Sequence, residues 1–141
     1  MSAFRIANTN FAPTPKAKPS KSKDYIAFIH DCPSVISGKY PVQAAHLSEA
    51  DTYYLHYGRG KGTKAPDRWV LPLTAEEHRA SHDYPGGEMA FWSDHGINPH
   101  ELATIIWGAF CERGTDALPW VVAKINSGLA MAGRLRERIE Q

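Results

Sequence analysis

The chain has 141 residues, 43% of them hydrophobic and 22% charged, which suits one globular domain with a modest core. No apolar run approaches the roughly 20 residues of a membrane span, and the first residues, Met1-Ser2-Ala3-Phe4-Arg5, lack the apolar centre of a signal peptide. Two cysteines, Cys32 and Cys111, make neither a disulfide framework nor a zinc ribbon and suit a reducing compartment, so the expectation is a soluble cytoplasmic protein with no membrane partner.

The net charge of +1 is unevenly placed. Residues 1–23 carry Arg5, Lys16, Lys18, Lys21 and Lys23 and no acid, which leaves the rest of the chain net acidic. Pro13, Pro15 and Pro19 interrupt this stretch and it has almost no apolar periodicity, so residues 1–22 read as a disordered basic arm suited to phosphate contact. Residues 23–141 then form a single domain.

Within that domain Lys23–Asp31 reads as a helix, with Tyr25, Phe28, Ile29 and Cys32 at helical spacing, Ser22 as cap and Pro33 as stop. Tyr40–Leu47 reads as a first strand ending near His46. Residues 48–66 form a long irregular loop in which Gly58, Gly60 and Gly62 alternate with Arg59, Lys61 and Lys64. Loops of that length usually have a task, and glycines with cations suit close approach to phosphate. The loop does not match a Walker motif, because no Gly-Lys-Ser/Thr opens a helix. Pro66–Leu73 reads as a second strand, antiparallel to the first.

Thr74 and Glu77 make a Thr-x-x-Glu capping box that starts a short helix. His78 and His82, four apart, point from one face of it and are a ready pair of ligands for a divalent metal. Glu88–His95 reads as a helix with Phe91 and Trp92 inward, stopped by Gly96. Asn98-Pro99-His100-Glu101 opens the next, running to about Glu112, burying Leu102, Ile105, Ile106 and Phe110 and ending at Gly114. A last helix over Pro119–Glu140 carries the stripe Val121, Val122, Ile125, Leu129 and Leu135. Cys111, among apolar neighbours with no paired base, reads as a small core residue rather than a nucleophile.

A strand, loop, strand and helix with one His on the first strand and His-x-x-x-His on the helix resembles the ββα-metal nucleases, the HNH or His-Me finger superfamily. The run Ala45-His46, Gly58–Gly62, Pro66–Leu73, His78, His82 and Gly87–Trp92 is similar to a phage and prophage branch that includes the RecA-dependent nuclease Ref. The resemblance covers about residues 23–107.

It implies an α+β fold: a two-stranded antiparallel hairpin plus helix, embedded in about five helices that cover it. It implies a metal-dependent endonuclease acting on DNA, of phage type and linked to recombination, with a host recombination protein as a further partner. His46 matches the general base, and His78 and His82 match ligands of a divalent metal, Mg²⁺ or Mn²⁺, with Zn²⁺ or Ni²⁺ as substitutes in vitro. Arg59, Lys61, Lys64 and Arg68, with Lys16, Lys18, Lys21 and Lys23 of the arm, are the candidate DNA contacts. Histidine suits the base because its ordinary pKa lies near neutrality.

The sequence departs from that pattern in three places. Ala45 stands where many members have a third ligand; Asp67, Glu49, Asp51 and Asp83 are candidates to replace it. Trp69 stands where the motif has Asn. Of two cysteine pairs that bind structural zinc in many members, only Cys32 remains, and Thr74 and Glu77 replace the second pair, so no structural zinc is expected. These departures keep open a catalytically degenerate nucleic-acid-binding module of the same fold.

Overall fold

A computed structural model describes residues 19–57 and 66–133, with side chains from Lys23 onward. The protein is α+β, with one two-stranded antiparallel sheet and five α-helices among the described residues.

Helix α1 spans Pro19–His30 and buries Tyr25, Phe28 and Ile29. It begins four residues earlier than expected, so Pro19–Ser22 belong to the helix rather than to an arm. Proline at a first helical position has its φ already set, and the N–H it lacks would have no partner there. The rest of the expected arm, residues 1–18, lies outside the described residues.

Strand β1, Gln43–His46, pairs with β2, Val70–Leu73, in the register Gln43↔Leu73 to His46↔Val70. Both strands are shorter than the expected Tyr40–Leu47 and Pro66–Leu73. Asp67–Trp69 is a 3-10 turn, closed by the Trp69 N–H on the Pro66 carbonyl at 3.0 Å. The chain therefore enters β2 through a turn that displays Asp67. The loop between the strands is also less irregular than expected: Thr52–Tyr54 is a second 3-10 turn, clasped by an Asp51↔His56 bridge. Residues 58–65 lie outside the described residues.

Helix α2, Ala75–Asp83, starts at the expected capping box: the Glu77 N–H donates to Thr74 Oγ1 at 3.2 Å, and the Thr74 N–H donates to Glu77 Oε1 at 3.0 Å. Helix α3 covers Glu88–Asp94 and α4 covers Pro99–Arg113, capped by Asn98, whose Oδ1 accepts the Glu101 N–H at 3.1 Å. Gly114, at φ 61°, ends α4, and a 3-10 turn leads into α5, Leu118–Met131. The expected continuation of that helix to Glu140 is cut short after Met131, where Gly133 takes φ 74°, a conformation that terminates helices. Residues 134–141 lie outside the described residues, so the expected place of Leu135 in the stripe does too.

A two-stranded hairpin is marginal by itself. Here β1 and β2 share one core with α1, α3, α4 and α5, and Trp69, Phe91 and Trp92 are buried at its centre. Trp107 is half-buried against it, its ring edge-on to Tyr25 at 4.8 Å. In α5, Val121, Ile125 and Leu129 recur four apart and are buried, while Val122 is half-buried. Among the described residues no helix is long and apolar enough to cross a membrane.

Candidate functional site

His46 closes β1, opposite Val70 at the start of β2. Because the 3-10 turn stands just before Val70, Asp67 is held beside His46, and His46 Nε2 lies 2.7 Å from Asp67 Oδ1. Both side chains remain partly open to solvent. A carboxylate only accepts, so the imidazole donates Nε2–H and keeps its lone pair on Nδ1. Of the four acids that sequence left as candidates, Asp67 is the one paired with His46. Glu49 offers its backbone carbonyl to His100 Nε2 at 2.8 Å, Asp51 caps the Thr52–Tyr54 turn, and Asp83 is exposed at the end of α2.

The second pair of histidines stands on α2, one helical turn apart, with ring centroids 4.9 Å from each other. His78 Nδ1 lies 2.7 Å from Gln43 Oε1 on β1. An amide oxygen accepts, so Nδ1 carries the proton and Nε2 is the nitrogen left to bind a metal. Burial, followed by the charges of His82 and His46, lowers the pKa of His78 and favours its neutral, ligating form. Gln43 and His46 stand on the same strand, so β1 carries both the candidate base and the residue that orients His78.

Among the described residues no three His, Cys, Asp or Glu side chains converge as a ready metal cage. The two imidazoles, one oriented by an amide and kept neutral, fit an ion whose remaining positions are filled by oxygen ligands. Gln43 is a residue that sequence reading missed. Its signal was its position three residues before His46, on the strand that α2 covers.

A further brace fixes the chain leaving β1. Glu88, at the start of α3, accepts the N–H groups of Ser48 and Glu49 at 3.0 and 3.2 Å. Behind it lies a cluster that sequence reading did not single out. His56 is buried, stacks on Trp69 at 4.7 Å and meets the Leu47 carbonyl at 2.8 Å, while buried His100 packs edge-on to both rings. Trp69, at the place of the motif's Asn, is thus an interior residue.

Three of the candidate DNA contacts, Lys21, Lys23 and Arg68, fall among the described residues. Lys23 is exposed on α1, and Lys21 lies on the same helix. The Arg68 guanidinium sits 4.5 Å over the Trp69 ring, which ties its charge to the buried aromatic cluster. Lys16, Lys18, Arg59, Lys61 and Lys64 lie outside the described residues. Cys111 is exposed rather than a core residue, because α4 turns its inward face through Ile106 and Phe110. Cys32 is buried, and burial followed by the Asp31 charge pushes its thiol up to about 12, which keeps it protonated.

The family described as proteins of unknown function, DUF968, matches residues 7–114, and the chain belongs to that family. No curated protein and no solved structure shows significant similarity to the chain.

Proposed function

We propose that the chain is a metal-dependent DNA endonuclease of the ββα-metal kind. His46 acts as general base, and His78 and His82 hold one divalent ion, Mg²⁺ or Mn²⁺. The observation that carries this reading is the Asp67-paired imidazole at the end of β1, the same strand whose Gln43 orients His78 of the imidazole pair on α2.

Asp67 holds the Nε2–H of His46, so Nδ1 is the nitrogen that takes a proton from the water attacking a phosphodiester. The developing imidazolium is stabilised by the same carboxylate. Gln43 holds His78 in the tautomer that binds metal through Nε2. When bound, the ion supplies positive charge where the phosphate and the leaving 3′ oxygen become more negative. Glu88 fixes the backbone that follows His46 and so limits drift of the base. Lys16, Lys18, Lys21, Lys23, Arg59, Lys61 and Lys64 supply salt-dependent affinity for the DNA backbone. A cytoplasmic setting belongs to this reading, since Cys32 and Cys111 are both free thiols. The phage setting and a host recombination protein as partner rest on the family resemblance.

A second reading, a catalytically silent DNA-binding module, is favoured by Ala45. This residue is 4% exposed, so its position offers neither a donor nor room for one. Supercoiled plasmid decides between the two. The endonuclease nicks or linearises it with Mg²⁺ or Mn²⁺ and not with EDTA, and His46→Ala lowers the rate on the order of 10²–10⁴-fold while leaving metal and DNA binding in place. Plasmid binding without any metal-dependent cleavage selects the silent module.

A further inference from the structure

The exposed turn after β1 sends one side chain inward. Leu55 is 61% exposed and Tyr57 is 73% exposed, whereas His56 between them is fully buried. Leu55, at φ 67°, ends the 3-10 turn in left-handed backbone, and the chain re-enters the fold at His56. Asp51 seats that residue: the Asp51 N–H donates to the His56 carbonyl at 2.8 Å, and the His56 N–H donates to the Asp51 carbonyl at 3.1 Å.

The buried imidazole touches both halves of the frame that carries Asp67 and His46. Its Nε2 lies 2.8 Å from the carbonyl of Leu47, the residue after His46. A carbonyl only accepts, so Nε2 carries the proton and donates. The face of the ring stacks on Trp69, with centroids 4.7 Å apart and planes 16° from parallel. Trp69 in turn closes the 3-10 turn that displays Asp67. His46 is the last paired residue of a four-residue strand. Past it, the Leu47 N–H reaches the Trp69 carbonyl at 2.7 Å. The 2.7 Å contact between His46 Nε2 and Asp67 Oδ1 therefore depends on how Leu47 and Trp69 are held against each other. His56 bonds to one and stacks on the other. His100 backs the His56 ring edge-on at 5.2 Å and is itself fixed by the Glu49 carbonyl at 2.8 Å.

We infer that His56 is a positioning residue: its Nε2–H, held on the Leu47 carbonyl, keeps His46 aligned with Asp67. This rests on His46 being the base, as proposed above, although the aligned pair exists with or without cleavage. A histidine kept for burial alone is replaceable by another ring that fills its place. A positioning histidine is not, because without the donor the Leu47 carbonyl loses a buried partner and the end of β1 is free to shift. Small shifts matter at a reacting group, where a displacement of about 1 Å costs on the order of 100-fold in rate.

The test uses the full chain. His56→Phe keeps a ring to stack on Trp69 but has no donor, and His56→Gln places an amide N–H where Nε2 stood but has no ring. Nitrogen NMR of the His46 ring in metal-free protein reads which nitrogen carries the proton. Single-turnover plasmid cleavage with Mn²⁺ reads the rate per folded molecule, and anisotropy in EDTA reads DNA affinity. Wild type is expected to hold the His46 proton on Nε2. In His56→Phe that preference is expected to weaken and cleavage to slow by up to about 100-fold, with DNA affinity unchanged. His56→Gln is expected to lose stability with the stack, yet to recover the Nε2–H preference and most of the rate. Folded His56→Phe with the wild-type tautomer overturns the inference, whatever its rate, and His56 is then packing only. If His56→Phe does not fold, His56→Gln decides: loss of the Nε2–H preference in folded His56→Gln overturns the inference, since the donor is still there, and its retention supports it. Failure of wild type to cleave under any metal sinks the endonuclease reading alone, because the His46 tautomer still tests His56. A shifted tautomer with an unchanged rate leaves the alignment standing and removes His46 as the base.

Discussion

The Ser34 hydroxyl donates to Glu77 Oε1 at 2.5 Å, joining the turn after α1 to the first turn of α2. Ser37 donates to the other carboxylate oxygen at 2.6 Å, and Ser34 Oγ itself accepts the N–H groups of Ile36 and Ser37. Oε1 also takes the Thr74 N–H of the capping box. One carboxylate therefore clamps two segments that are far apart in sequence.

Glu77→Ala is expected to lower stability by roughly 2–3 kcal/mol, since it removes hydrogen bonds to a charged acceptor together with half of a capping box. Urea unfolding measures this. Because α2 carries His78 and His82, metal affinity should fall with it. Glu77→Gln keeps the shape and part of the bonding and should cost less. If Glu77→Ala unfolds at the wild-type midpoint, the clamp is incidental to the fold.

Asp67 is expected to matter for rate more than for binding. Asp67→Ala leaves the His46 ring free to rotate and to place its proton on either nitrogen. The cleavage rate should fall roughly 10- to 100-fold, the size usual for partners that orient a functional histidine. DNA affinity should hold or rise slightly, because a negative charge is removed. Single-turnover cleavage alongside anisotropy separates the two effects. An unchanged rate in Asp67→Ala means that the pair is only an ion contact at the rim of the sheet.

The capping box, the Asn98-Pro99 start of α4 and its Gly114 stop were legible because each depends on local chemistry within a few residues. The pairing of β1 with β2 was legible from two short apolar runs, but their lengths were not. Asp67–Trp69 folds into a turn because Pro66 offers its carbonyl to Trp69, a choice that apolar alternation does not record. That turn decides which acid meets His46, so the partner was hidden even though Asp67 was among the candidates. His56 and His100 were opaque for another reason. Each is satisfied by a backbone carbonyl, of Leu47 and of Glu49, brought close only by the tertiary fold. Cys111 misled because a helix rich in apolar residues still has an outer face.

Gln43 and His78 make a prediction about acidity. The folded protein holds the His78 pKa below the ordinary 6.5, mainly through burial and then through His82 and His46. The unfolded chain therefore takes up that proton more readily. The stability linked to His78 is fully present above pH 6.5 and is lost as pH falls through the folded value. Metal affinity should fall as pH drops through the lowered His78 value, because a proton on Nε2 displaces the ion. Gln43→Ala removes the acceptor that fixes the ligating tautomer, and Mn²⁺ or Ni²⁺ affinity should drop roughly 10- to 100-fold by calorimetry. Equal affinity in wild type and Gln43→Ala, or in wild type and His78→Ala/His82→Ala, shows that these histidines are not ligands.

Leu55 makes the last prediction, because its conformation and its exposure point in opposite directions. A leucine at φ 67° is held against the clash of its Cβ with the following carbonyl, and a side chain 61% exposed gains little burial in return. Asparagine tolerates this left-handed geometry without glycine's larger entropy loss on folding. Leu55→Asn is therefore expected to raise stability by about 0.5–1 kcal/mol, read as a higher urea midpoint with an unchanged slope. The same variant removes apolar surface between Tyr53 and Tyr57. If Leu55→Asn destabilises the protein, the leucine side chain has a packing role that outweighs the strain of its backbone.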